Sequence, residues 1–358
     1  MEKAPYFTDD TIVFGLLMIL LGFVFYTSSK EEGYWKKFYG VVPALLMCYL
    51  LPAILSSLNI ISPEWVEISK EGEKITKESS VYFVASRYLL PAALVLMTIS
   101  IDIKALLNLG PKALIVFFAG TIGIIIGGPI AILIISIFSP ETVGGAGFDA
   151  VWRGLSTLAG SWIGGGANQA AMLEIFKYNQ EKYGAMVLVD IVIANVGMAF
   201  LLYGIGKKEA INKWLKADNS SIQELQDKVS DYQESVKRNP SLNDYMIITA
   251  IAFGSVGLSH WGSQLCSSFF QSNFESVNDP KSFASTFGGT FFWMVTIATF
   301  LGIALSFTPL KKYEGAGASK VGSVFIYILV ASIGMKMDLS SVFENPGLIA
   351  IGFIWMLI

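Results

Sequence analysis

The sequence predicts an all-α polytopic membrane protein with two inverted-topology repeats and a Gly-rich broken or re-entrant helix. Composition, the placement of the charges and one interrupted helix carry that reading. Of 358 residues, 53% are hydrophobic and only 15% are charged, where a soluble domain carries roughly 25% charged residues. Mean hydropathy is +0.58, so there is too little polar sequence to cover a soluble globule. The net charge of −3 and pI near 5.4 leave no broad basic surface for nucleic acid. Charges crowd into short islands between apolar stretches of about twenty residues, the length that crosses roughly 30 Å of hydrocarbon. A multi-pass protein of the bacterial inner (plasma) membrane, in contact with lipid, is the expectation.

The apolar runs fall at roughly 11–27, 40–58, 81–100, 112–138, 183–205, 244–270, 287–307, 320–336 and 346–358. MEKAPYFTDD precedes the first of them. It lacks the positive n-region and small-residue cleavage site of a secretory signal, so a retained helix is expected. ISPEWVEISKEGEKITKESS reads as a charged extramembrane loop between the second and third runs. The island at 207–243 holds Lys207, Lys208, Lys213, Lys216, Lys228, Lys237 and Arg238, which places it on the cytoplasmic side. Within it Ile222, Leu225, Val229, Tyr232 and Val236 recur by three and four, predicting an amphipathic helix on the protein or membrane surface. Cys48 and Cys266 both lie in apolar stretches and make neither a metal-ligand spacing nor a disulfide framework.

The stretch 151–178 reads VWRGLSTLAGSWIGGGANQAAMLEIFKY. Gly160, Gly164, Gly165 and Gly166 each cost a helix roughly 1 kcal/mol relative to alanine. An unwound centre between half-helices at about 151–159 and 169–178 is expected. Such backbone is tolerated at membrane depth only when buried in protein or lining a watery cavity. Lys and Arg counts are nearly equal whether the segment crosses or re-enters, so charge does not decide. An internal resemblance does more. Residues 94–118 resemble 328–353: Asp102 falls on Asp338 and, with one residue deleted, Pro111 falls on Pro346. If the segment re-enters, an odd number of crossings separates the copies and they lie antiparallel, as in inverted-repeat transporters. The re-entrant reading follows. The second copy stops at Ile358 inside its last helix, so the second half is expected to be incomplete, as in a truncated product.

LAGSWIGGGANQAAM, followed by VDIVIANVGMAF, resembles the bacterial integral-membrane family filed as domain of unknown function 819. That family is similar in organisation to the bile-acid/sodium symporters, glutamate/sodium symporters and cation/proton antiporters. The resemblance implies an ion-coupled carrier with a scaffold and a core built on broken or re-entrant helices; it implies no substrate. On that plan 1–80 and 244–310 are scaffold and 81–205 is the core of the first half. The stretch 206–243 is the cytoplasmic polar loop, and 311–358 is the incomplete second core. The scaffold is expected to pair with a second copy as a homodimer.

Candidate ion- and solute-binding residues follow from the break. Unwound backbone exposes carbonyls to a cation, and a new helix near Asn168 offers free N–H groups to an anion. Ser156, Thr157, Ser161, Asn168 and Gln169 add neutral oxygens and amides beside Gly164, Gly165 and Gly166. Close helix packing is the plainer reading of such glycines. Asp190 and Asn195 interrupt MVLVDIVIANVGMAFLL; a carboxylate there costs about 2.5–3.5 kcal/mol on insertion scales and normally faces a cavity or partner. It is either a coupling residue or a structural clamp. The two lie about 140° apart on a helical wheel, so they need not share a site. Arg87 precedes Pro91 by one turn, and the proline frees the Arg87 carbonyl; its side chain snorkels or meets an anion. Asp102 and Asp338 read as caps of the linker helices, and His260 beside Trp261 as an interfacial anchor near a helix end. No cofactor is expected. Neutral oxygens favour sodium over a proton as coupling ion.

Enzyme motifs fail in turn. There is no HExxH, one histidine builds no metal centre, GSWIG lacks the GxSxG order and GIGKKE lacks the phosphate-loop spacing. The reading is an ion-coupled secondary transporter of a small, anionic solute working by alternating access. A channel or a non-transporting membrane receptor is the alternative.

Overall fold

The computed structural model describes residues 4–68, 74–101, 111–206, 238–279, 282–338 and 345–358. Asp102 and the amphipathic pattern at 222–236 lie outside them.

Helix α1 (Asp10–Ser28) starts where the Asp9 carboxylate accepts the N–H groups of Thr11 and Ile12 at 2.8 and 3.2 Å, a standard N-cap. Its Asp10 accepts the Ser79 hydroxyl at 2.7 Å, so the start of α1 and the end of the 59–80 loop share one end of the molecule. The run expected at 40–58 is helix α3 (Ala44–Ser57), and a short helix α2 (Gly33–Tyr39) that the apolar runs did not mark precedes it at a bend of 94°. Pro43 caps α3 and, lacking an N–H, bars the preceding residue from the helix. The loop at 59–80 contains an antiparallel ribbon, β1 (Glu64–Ile68) and β2 (Lys74–Glu78), with Glu64 directly opposite Glu78. Its charges hid the Trp65–Val66 and Ile75 strand signal. The end that carries this ribbon is the ribbon end.

Helix α4 (Val81–Thr98) runs away from the ribbon and holds one π turn, Ala85–Leu89, just before Pro91. A proline removes an N–H from the ladder, and a π turn is one way of absorbing the loss. Then come α5 (Pro111–Phe138), α6 (Val151–Gly164), α7 (Gly166–Phe176), α8 (Tyr183–Gly206), α9 (Leu242–Asn273), α10 (Thr290–Ser306), α11 (Ala318–Gly334) and α12 (Gly347–Leu357). By length and hydropathy, five described spans can cross a membrane, or seven if each bent pair is one span. Along α5, Ile115, Val116, Phe118, Ile122, Leu133 and Ile137 are exposed, as suits a helix facing lipid rather than water.

Helices α4 and α11 form the buried centre. Leu90, Val95 and Leu96 of α4 and Leu329, Val330 and Ala331 of α11 are fully covered, and α3, α9 and α10 pack around the pair. Helix α11 ends toward the ribbon, where the Asp338 N–H donates to the Glu181 carbonyl at 3.0 Å, so it runs opposite to α4. Helix α12 lies on α5 and α8. Its Trp355 indole donates to the Ile124 carbonyl at 2.8 Å. A Cβ at Gly127 or Gly128 would come within 2.7 or 2.9 Å of that indole, so the two glycines are what let the ring in.

Candidate functional site

Helices α6 and α7 form a hairpin with Gly165 at its tip. The break is one residue wide, not about nine: Gly165 has φ 83° and ψ −174°, a region open essentially to glycine alone. The half-helices are therefore longer than expected, and Gly160, Gly164 and Gly166 are helical. For Gly160 and Gly164 the propensity cost, roughly 1 kcal/mol each, is offset by close packing, while Gly166 has open space at its Cβ position. A Cβ at Gly160 would meet Met172 Cγ at 2.7 Å and the Asn168 carbonyl at 2.9 Å, so this glycine lets the arms close. That is the packing role.

The arms meet again at their base. Arg153 donates to the Phe176 carbonyl, the Trp152 and Phe176 rings lie 5.7 Å apart, and the Asn179 N–H donates to the Phe148 carbonyl at 2.9 Å. The segment thus enters and leaves at one end, the ribbon end. Arms of 14 and 11 residues reach about 21 and 17 Å at 1.5 Å per residue, which is short of a roughly 30 Å crossing. Asp149 closes the base, accepting Asn179 Nδ2 at 2.8 Å and pairing with Lys182 at 3.0 Å. Those two contacts, the amide first, hold its carboxyl below the usual range.

Near the tip the structure unites three predicted residues. Asp190 of α8, 8% exposed, accepts the Ser161 hydroxyl at 2.9 Å and the Trp162 indole at 2.7 Å. The Gln169 side chain is the next polar group beside the carboxylate. It is 1% exposed, and its Nε2 closes no hydrogen bond among the described residues. Tyr183 lies seven residues before Asp190 and therefore on the same helical face. Its ring sits 6.1 Å from that of Tyr49, and the two buried hydroxyls close no hydrogen bond of good geometry among the described residues. Buried polar atoms are normally satisfied, so this concentration of unsatisfied ones around a carboxylate is a candidate site.

Other predicted residues stand apart. Thr157 is buried, but its hydroxyl is spent on the Gly154 carbonyl of its own helix at 2.7 Å. Asn195 is exposed and bonds the Ile191 carbonyl at 2.8 Å, away from Asp190, from which it lies about 140° on the helical wheel. Asn168 is half-buried and lies over Gly164.

Arg87 meets a carboxylate of the chain itself. It pairs with Glu174 of α7 at 3.2 Å and lies over the Phe291 ring at 4.5 Å, in the wall of a cavity of about 940 Å³ at the ribbon end. Tyr82 donates to the same Glu174 carboxylate, and Gln180 Nε2 donates to it at 3.1 Å. Lys336 projects into this cavity with its ammonium 4.3 Å from the Tyr82 ring centroid. His260 does not lie near a helix end. It sits mid-way along α9, and its Nε2 lies 2.8 Å from the Arg87 carbonyl. Cys48 and Cys266 are free, and no cluster of three metal-ligating side chains occurs among the described residues.

Sequence reading missed Trp162, Glu174, Tyr82 and Lys336. Glu174, a single carboxylate in GANQAAMLEIF, was the visible signal. A family model described as protein of unknown function (DUF819) matches residues 15–358. The chain belongs to that family. It is 24% identical over 287 residues to the uncharacterized membrane protein YjcL of Bacillus subtilis (strain 168). The match takes in 76% of this chain and 64% of that relative, so the chain spans less than two thirds of the relative's length. No solved structure matches it significantly. The protein is thus a mostly helical membrane protein of a family without an assigned function.

Proposed function

We propose that this DUF819 protein is an ion-coupled secondary carrier of the bacterial plasma membrane, with its ion site at the hairpin tip. The observation that carries the reading is Asp190. A carboxylate inside an apolar helix meets the tip of a hairpin too short to cross, beside buried polar atoms that close no hydrogen bond among the described residues. Intramembrane carboxylates in such settings mark ion or substrate paths. Beyond its last helical hydrogen bond, Gly165 N–H to the Ser161 carbonyl at 2.7 Å, α6 leaves its terminal carbonyls open. With the Asp190 carboxylate and the Ser161 hydroxyl they form an all-oxygen set suited to a hard cation such as sodium.

The helix directions support alternating access. Helix α4, before the 94–118 copy's linker, pairs with α11, before the 328–353 copy's linker, and the two run oppositely; α5 and α12, which follow those linkers, also pack together. This is the arrangement an inverted repeat would give, with a site between the halves exposed to each side in turn. Proteoliposomes tested with radioactive sodium decide between classes. A carrier gives sodium-for-sodium exchange that saturates with concentration, whereas a channel gives flux that tracks the membrane potential without saturating.

A further inference from the structure

The cavity at the ribbon end is separate from the tip, and its charges are arranged in an unusual way. Its floor holds Arg87 and Lys336, and its rim holds Glu64 and Glu78. Arg87 is engaged by Glu174. Lys336 makes no ion pair or hydrogen bond through its ammonium within the described residues; it rests on the Tyr82 ring. The charges acting on it are Glu78, Glu174 and Glu64, yet none of them closes to a salt bridge with it. Glu64 and Glu78 stand directly opposite each other across the ribbon, a like-charge pairing that is unfavourable without a cation between or beside them. The Lys336 ammonium and the Glu64 and Glu78 carboxylates, none of which closes an ion pair among the described residues, therefore line one space of about 940 Å³, within the range of small-molecule sites.

We infer that this cavity binds a small zwitterion, a molecule carrying both a carboxylate and an ammonium group. The ligand's carboxylate would take the Lys336 ammonium, with Arg87 beside it. Its ammonium would lie between Glu64 and Glu78 and relieve their repulsion. Simple anions satisfy only the floor and leave the rim repulsion in place; simple amines satisfy only the rim. Gln180, which already donates to Glu174, and the Phe291 face under Arg87 complete the wall. The inference deepens the carrier reading by naming its solute class, and binding measured in detergent tests it apart from transport.

The test is calorimetric titration of the full chain in detergent with alanine, glutamate, lysine and γ-aminobutyrate, against butyrate and butylamine. At least one zwitterion is expected to bind saturably, and butyrate and butylamine at least tenfold more weakly. Lys336→Met should abolish that binding, while Lys336→Arg, which keeps the charge, should retain it. The double variant Glu64→Gln with Glu78→Gln, both on the exposed ribbon, should weaken it at least tenfold with an unchanged melting curve. Absence of zwitterion binding by folded protein would overturn the assignment. So would butyrate binding as tightly as the zwitterions, or full binding by the double variant. Zwitterion binding without any sodium exchange would keep this site and sink the carrier reading; sodium exchange without zwitterion binding would do the reverse.

Discussion

His260 Nε2 lies 2.8 Å from the main-chain oxygen of Arg87, 173 residues earlier in the chain. That oxygen is the one Pro91 deprives of its helical donor. Helix α9 thus supplies from outside what α4 lacks within its π turn, and the bond also fixes the turn that aims Arg87 at Glu174.

Replacing His260 by Leu should leave the Arg87 carbonyl without a donor at that depth. The cost expected is about 1–3 kcal/mol, that of an unsatisfied buried polar group. His260→Gln, which can still donate, should recover most of it. Thermal unfolding in detergent checks the pair; equal losses in both would mean that ring packing on Tyr88, not the hydrogen bond, matters.

The glycines at the tip should separate cleanly. Gly165→Ala forces a Cβ into a backbone region that costs about 1–3 kcal/mol for non-glycine residues, and sodium exchange should fall with it. Gly166 is helical with open space around its Cβ position, so Gly166→Ala should be neutral or stabilising by up to about 1 kcal/mol. Melting curves of the two variants side by side are the measurement; equal behaviour would refute a one-residue hinge.

Much of this was legible beforehand. The apolar runs marked most spans to within a few residues, because a twenty-residue apolar run has no soluble alternative. Asp190 and Gln169 stood out as polar residues in apolar surroundings. What the sequence hid was relational. Gly160, Gly164 and Gly166 were expected to unwind, since intrinsic propensity cannot register that Gly160 admits Met172 and the backbone of the opposite arm. Arg87 was read alone, and Glu174, its partner 87 residues away, has no local mark of pairing. The Trp65–Ile75 ribbon was masked by the charges that alternate with its apolar residues.

The hairpin base should respond to acid. Asp149 has its carboxyl held below the ordinary 3.8 by Asn179 and then Lys182. A depressed folded value means that its stabilisation is complete above the unfolded value and is lost as pH falls through the folded one. Melting temperature measured from pH 6 downward should therefore show a decline below about pH 4 that Asp149→Asn lacks at that step. An identical decline in the variant would assign the acid sensitivity elsewhere.

Topology is open to labelling. Gly147 lies at the hairpin base on the ribbon end, while Asn239 precedes α9 at the opposite end, next to the Arg238 N–H that donates to the Gly315 carbonyl at 3.2 Å. Single cysteines at these positions, in a background lacking Cys48 and Cys266, should react with an impermeant reagent from opposite faces of the membrane. Labelling from the same face would break the re-entrant account.

The most direct measurement is the melting temperature in sodium chloride against choline chloride, at fixed pH and ionic strength, for the parent chain and Asp190→Asn. The substitution keeps shape and hydrogen-bonding capacity and removes the charge. Binding to the folded state alone stabilises by about 2.7 kcal/mol when the ion is at a hundred times its dissociation constant. The account predicts a saturable sodium-dependent rise in the parent chain and none in Asp190→Asn, whose own stability falls by no more than about 1–3 kcal/mol. The same sodium-dependent rise in both proteins would contradict it and leave Asp190 a structural clamp.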